Sequence, residues 1–141
     1  MADFGEGLVK RAQGDGAQVR IVIDVIPHEK QQYPTVGNWF YQQDGTLCIE
    51  VSRFGSWRRE ALIAIHEFVE AMWCKSQGIS QAVVDKFDLE RAIKGDYEPG
   101  DDPKAPYYHG HQVATIIEKL LCLELGENWN DYADQVDSLF K

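Results

Sequence analysis

Residues 61–74 combine three titratable side chains with an otherwise apolar stretch, ALIAIHEFVEAMWC. Successive residues of an α-helix turn by about 100°, so a helix here places His66, Glu67 and Glu70 in one sector. A His and a carboxylate four residues apart can bind one divalent ion from a single helix face, and the intervening Glu can take a proton from water beside the ion. The pattern predicts a site for Zn²⁺ or another divalent metal, with His66 and Glu70 as ligands and Glu67 as the catalytic base.

A zinc site needs at least one further protein ligand, and the remaining histidines are His28, His109 and His111. His111 is the best candidate because it heads a predicted helix on which Thr115 and Glu118 lie on the same side. We therefore expect His111 to be the third ligand. Glu118 either orients an imidazole or completes the shell as a fourth ligand. We expect His28 at the surface and His109 in a loop.

One alternative to this metal site, and one addition to it, remain open from the residues alone. A buried His66–Glu70 pair, stabilised by hydrogen bonds and without metal, also accounts for the short pattern, although His111 and Glu118 favour a metal. Asp85 and Asp88 could be acids directed at the site, but the solvated face of an amphipathic helix is the favoured interpretation.

Strands must form part of the framework that holds this site. Residues 18–26 alternate β-branched side chains and predict a strand with one face fully buried. Residues 38–43 and 46–52 flank Asp44-Gly45, a two-residue signal for a type I′ turn, and so predict a hairpin. These segments predict a small antiparallel sheet of about three strands.

Helices account for most of the remaining chain. Ser56, Ser80 and Asn128 precede amphipathic segments and are residue types that cap helix N-termini. The expected helices cover residues 57–74, about 81–94, about 111–125 and the segment after Asn128. The sequence therefore predicts an α+β fold in which the small sheet packs against about four helices, with residues 57–74 as the central helix.

Composition limits the partners that this chain could bind. The 141 residues suit a single domain, with residues 1–17 as a flexible or turn-rich N-terminal arm. The net charge of −9 argues against direct binding of duplex nucleic acid and favours a cation or a basic protein surface. No apolar run approaches about 18 residues, so we expect no membrane partner and a cytoplasmic location. The three cysteines form no CxxC pair, which predicts buried free thiols.

The chain also contains four motifs in a fixed order: WRREALIAIHEFVEAMWCKSQGIS, VDKFD, EPGDDPKAPYYHGHQVATIIEKL and LGENWNDY. With this series it resembles a group of short uncharacterised proteins found in bacteria, phages and prophages. The resemblance covers roughly residues 20–135 and implies a shared fold. It also places the expected cytoplasmic location in a bacterial host cell.

The central helix, through HEFVE, resembles the HExxH helix of zincin metallopeptidases. This resemblance implies metal ligands at His66 and Glu70, a general base at Glu67, and hydrolysis of a peptide-like substrate. Glu70 departs from the motif because it replaces the second His.

The alternative function is that of an acidic phage-type interaction protein, in which the His/Glu cluster is only structural. Such a protein would bind a basic host protein and inhibit a nucleic-acid-handling or defence complex, or serve in virion assembly.

Overall fold

The computed structural model describes residues 20–96 and 98–140, so the predicted arm at residues 1–17 lies outside the described residues. The described elements follow in the order β1 (Ile21–Ile26), β2 (Gly37–Tyr41), β3 (Leu47–Ser52), α1 (Trp57–Ser76), α2 (Gln81–Ile93), α3 (Tyr108–Glu124) and α4 (Trp129–Ser138). Short 3₁₀ turns lie at His28–Lys30 and Pro99–Asp101. The predicted α+β class, with three strands and four helices, is confirmed.

The sheet is mixed, with the strand order β1-β3-β2. β2 runs antiparallel to β3, as the predicted hairpin requires, but β1 runs parallel to β3. The prediction of a wholly antiparallel sheet is therefore wrong for β1. The cause is the long connection at residues 27–36, which carries the chain from one edge of the sheet to the other. β3 can then fill the position between β1 and β2.

The predicted buried face of β1 is also not observed. Ile21, Ile23 and Val25 are 41%, 51% and 38% exposed. β1 is an edge strand, and α1 packs instead on β2 and β3, where Ile49 and Val51 are fully buried. Alternation of apolar residues in β1 thus predicted a strand correctly but did not predict which strands the helix covers.

The hairpin turn differs from the predicted type I′ turn. A type I′ turn needs positive φ at both central residues, but among these residues only Gly45 has one, at 87°. The Gly45 amide donates to the Gln42 carbonyl at 2.9 Å, and the Gln42 amide donates to the Thr46 carbonyl at 2.9 Å. This is a three-residue loop that ends in a left-handed glycine, so the predicted turn at Gly45 is confirmed and the predicted two-residue length is wrong.

The predicted helix caps are confirmed. Side-chain oxygens of Ser56, Ser80 and Asn128 each accept a backbone N–H from the first turn of α1, α2 and α4. α3 begins at Tyr108, three residues before the predicted start, so His109 lies in a helix and the prediction of a loop there is wrong.

α1 is the central element because it packs against α3 on one side and against β2 and β3 on the other. The hydrophobic core draws on the sheet and on all four helices. Cys48, Cys74 and Cys122 are buried and free, as predicted. None of the described helices combines the length and the apolar character needed to cross a membrane.

Candidate metal centre

The candidate centre lies where α1 faces α3. α1 provides His66 and Glu70 one turn apart, and α3 provides His111 from its first turn. Two glycines allow the close packing: a Cβ at Gly110 would collide with the Trp73 ring, and a Cβ at Gly100 would collide with the His111 ring. The Pro99–Asp101 turn therefore lies directly on the His111 imidazole.

Three donor atoms converge at this point. Nε2 of His66 lies 3.1 Å from Nδ1 of His111 and 3.4 Å from Oε2 of Glu70. Nδ1 of His111 lies 3.1 Å from the same Glu70 oxygen. A tetrahedral ion with bonds of about 2.0–2.1 Å separates its ligand atoms by about 3.3–3.4 Å. The observed triangle fits such an ion with shifts of a few tenths of an ångström.

The outer nitrogen of His66 has its own partner. Its Nδ1 lies 2.7 Å from Oε1 of Glu118, and the Tyr132 hydroxyl donates to Oε2 of the same carboxylate at 2.6 Å. Glu118 thus orients the imidazole from behind rather than completing the ligand triangle. Carboxylates that accept from the outer N–H of a metal-binding histidine fix its tautomer and make its inner nitrogen a better ligand. Of the two roles expected for Glu118, the geometry matches the orienting one.

The other two members are held from outside as well. Nε2 of His111 lies 3.2 Å from Oδ1 of Asp101, and the Trp39 indole N–H donates to Oε1 of Glu70 at 3.3 Å. When both histidines donate their outer N–H to carboxylates, the inner nitrogens of His66 and His111 present lone pairs to each other. Lone pairs at 3.1 Å repel unless a cation lies between them, so the cluster requires either a proton or a metal ion at its centre.

The pKa values agree with a cation at this position. Burial by itself would raise the pKa of Glu70, but hydrogen bonds from His111 and His66 outweigh it and lower the pKa to about 2. Burial would lower the pKa of His66, but its bonds to Glu118 and Glu70 raise that pKa well above its ordinary value. Glu70 is therefore a permanent carboxylate, which suits a metal ligand.

Glu67 differs from its neighbours because it has no hydrogen bond or ion pair to a described residue. It faces a cavity of about 350 Å³ that the three ligand residues also line. Burial, followed by the charge of Glu70, raises the pKa of Glu67 well above its ordinary value. Gly37 on β2 makes room for this side chain, since a Cβ there would lie 2.7 Å from Oε1 of Glu67.

Asp88 is the main acid that the sequence interpretation misplaced. Rather than facing solvent, it is buried in the wall of the same cavity and accepts hydrogen bonds from the hydroxyls of Tyr107 and Tyr33. Burial raises its pKa to about 7, against the effect of the Tyr107 hydrogen bond. Asp85 is half-buried, also lines the cavity, and accepts from the Gln81 amide at 3.3 Å.

The two other histidines do not join the cluster. His28 is half-buried rather than at the surface, and its Nδ1 lies 2.8 Å from the Ser52 hydroxyl. His109 is exposed on α3 with its ring 5.7 Å from that of Trp73. His66, Glu70 and His111 thus form the more buried of two groups among the described residues whose donor atoms could hold a metal; the other, Glu98, Asp101 and His111, is more exposed.

Comparison of the chain with protein-family models, curated proteins and solved structures gives no match. The resemblances to short phage and prophage proteins and to zincins therefore stay predictions. Any function assigned to this cluster has to rest on its geometry and chemistry.

Proposed function

We propose that this protein is a zincin-like, metal-dependent hydrolase in which His66, Glu70 and His111 hold one divalent ion, with Zn²⁺ as the first candidate. The observation that carries the proposal is that each ligand residue directs one donor atom at the other ligands and binds a supporting residue with its second polar atom. The inner donor atoms lie 3.1–3.4 Å apart, and every outer atom has a protein partner. Such outer partners are typical of metal-binding histidines.

When bound, a divalent ion would polarise a carbonyl or phosphoryl oxygen and lower the pKa of water. The protein residues have separate tasks around it. Glu118 and Asp101 hold the two imidazoles in the tautomers that leave the inner nitrogens free to bind. Glu67 lines the same cavity and has no hydrogen bond or ion pair to a described residue; it takes the proton of the attacking water and delivers it to the leaving group.

The cavity suits a substrate with an extended chain rather than a single small ion. Its volume of about 350 Å³ lies within the range of small-molecule sites, and its wall includes an edge of the sheet at β2. Peptide and amide bonds are the substrate class that we propose, on the analogy of the central helix to zincins.

Metal analysis tests the first part of this proposal. The protein, purified without a nickel column, should contain close to one divalent ion per chain by inductively coupled plasma mass spectrometry. His66→Ala and His111→Ala should lose that ion, because each removes one corner of the ligand triangle. His109→Ala is the matched control, since this exposed histidine of α3 lies outside the cluster. A folded wild-type protein that binds no metal would contradict the proposal.

Glu67→Gln tests the second part. The change keeps the shape of the side chain and removes its ability to take a proton. Metal content should stay at the wild-type level, and cleavage of a quenched-fluorescence peptide library by the zinc-loaded protein should fall about 10²–10⁴-fold. Retention of metal with undiminished cleavage would exclude Glu67 as the base. A metal-bound wild type that cleaves no peptide or amide would favour the structural role of the cluster in an interaction protein.

A further inference from the structure

The lining of the cavity is strongly acidic. Eight carboxylates line it, and no lysine or arginine of the described residues does. A bound divalent ion supplies two positive charges, which would compensate only some of these acids. Like charges gathered in one concave site raise the local concentration of ligands of the opposite sign.

Five of the eight acids already have hydrogen-bond or ion-pair partners within the protein. Glu70, Glu118, Asp88, Asp85 and Asp101 accept hydrogen bonds or ion pairs from side chains of the protein. Their charges serve the metal centre or the cavity wall, so these residues do not by themselves indicate a further ligand.

The other three are Glu67, Glu98 and Asp137, whose side chains form no hydrogen bond or ion pair with a described residue. Glu67 lies deep in the cavity, and the other two lie at its mouth on different elements. Glu98 precedes the 3₁₀ turn that covers His111, and Asp137 lies near the end of α4.

Asp101 pairs with His111 through Oδ1, but its side chain is 65% exposed and also lies at this mouth. We call Glu98, Asp101 and Asp137 the acidic mouth. Carboxylate oxygens of Glu98 and Asp101 lie within 4.8 Å of each other and of a His111 nitrogen. Partial burial raises the pKa of Glu98, and the negative charges of Asp101 and Asp137 raise it further. Glu98 nevertheless remains exposed to solvent. The carboxyl groups of these three residues therefore face one space beside a metal ligand.

The remaining wall includes the half-buried aromatic side chains of Tyr33 and Trp129. Aromatic rings accommodate the methylene stem of a long basic side chain and attract its cationic end. A cavity with carboxylates at its mouth, aromatic side chains in its wall and no lysine or arginine among the described residues that line it has the chemistry that recognises an ammonium or guanidinium group.

We propose that the acidic mouth binds a basic side chain of the substrate, so that the protein acts on peptides with lysine or arginine next to the bond to be cleaved. This inference rests on the proposed hydrolase function for its choice of substrate. The binding of the cationic group depends on Glu98, Asp101 and Asp137 and does not require the ligand triangle to be complete.

The test uses four blocked tripeptides with arginine, lysine, citrulline or glutamate at the central position. Citrulline matches arginine in shape but carries no charge. Affinities for the full-length protein are measured by NMR titration at low salt, and metal content is measured on the same samples. Arginine and lysine peptides should bind the wild type about tenfold more tightly than the citrulline peptide, and glutamate should bind least.

The double variant Glu98→Gln/Asp137→Asn should lower the preference for arginine over citrulline about tenfold, since it removes two partly exposed ion pairs. The control is Glu124→Gln/Asp134→Asn, which makes the same change of net charge at exposed positions outside the cavity lining. It should keep the preference.

The two proposals fail in different ways. If metal is bound but citrulline binds as tightly as arginine, or if both double variants lose the preference equally, the acidic mouth does not recognise basic side chains. If the arginine preference depends on Glu98 and Asp137 but no metal is found, binding of basic side chains by the acidic mouth stands, and the hydrolase proposal falls together with cleavage next to those side chains.

Discussion

Replacement of Glu118 by Gln removes one negative charge behind the metal centre and keeps the shape of the side chain. Oε1 of Glu118 lies 2.7 Å from Nδ1 of His66, and Oε2 accepts from Tyr132 at 2.6 Å. A hydrogen bond to a charged group stabilises by about 1.5–3 kcal/mol and a neutral one by about 1 kcal/mol. The loss of charge assistance should cost about 1–2 kcal/mol, and outer partners of metal-binding histidines affect affinity by about 10–100-fold. We therefore expect Glu118→Gln to bind Zn²⁺ about tenfold more weakly.

The affinity is measured by competition with a chromophoric zinc chelator at fixed pH. Tyr132→Phe is informative beside it, because it keeps the Glu118 charge and removes only the hydroxyl donor. It should have a smaller effect than Glu118→Gln. Glu124→Gln, an exposed acid on the same helix, is the control and should leave the affinity unchanged. Equal affinities for Glu118→Gln and the wild type, with both folded, would refute the role of Glu118 in orienting His66.

Three further changes probe other contacts of the site. Trp39→Phe removes the indole donor to Glu70 and should weaken Zn²⁺ binding about threefold to tenfold in the same competition assay. Gly37→Ala places a Cβ 2.7 Å from Oε1 of Glu67, so it should reduce peptide cleavage, retain metal, and lower the free energy of unfolding by about 1–3 kcal/mol in urea. The pKa of Asp88 is about 7 in the folded protein, against an ordinary value of 3.8, so folding takes up a proton between these two pH values. The contribution of Asp88 to the free energy of unfolding therefore falls as pH rises through this range and is constant above it. Asp88→Asn lacks this loss, so its urea stability relative to the wild type, with metal chelated, should improve by about 2–3 kcal/mol from pH 5 to pH 8, and a constant difference would contradict the assignment.

Local patterns predicted how α1 places the side chains of its candidate ligands. Helical periodicity and the Ser56 cap depend on residues close in sequence, and they place His66 and Glu70 on one face whatever the rest of the chain does. His111 followed from the same reasoning, since a His at the head of a helix projects from a predictable side. The cluster of these three residues is the arrangement that the sequence predicts.

Contacts between elements that are distant in sequence could not be predicted in this way. Trp39, Asp101 and Tyr132 support the ligand residues from β2, a 3₁₀ turn and α4, and no spacing rule connects them to the central helix. Asp88 was misplaced for the same reason, because Tyr33 and Tyr107, which bury it, come from segments before and after α2. The parallel pairing of β1 likewise depends on a crossover whose path the sequence of β1 does not contain.

Glu67 and Glu70 of α1 differ in their hydrogen-bond partners, and this difference indicates different roles for the two carboxylates. A buried charge costs several kcal/mol unless other groups compensate it. For Glu70 the compensation is complete, since His66, His111 and Trp39 all contact its two oxygens. Stability of the fold can therefore explain why Glu70 is tolerated, with or without metal. Glu67 lies one helical turn away in the same cavity and has none of these partners, so its burial only costs stability. A carboxylate that destabilises the fold and faces a space next to a cation site is a candidate for chemistry, whereas Glu70 on its own would be compatible with a purely structural cluster.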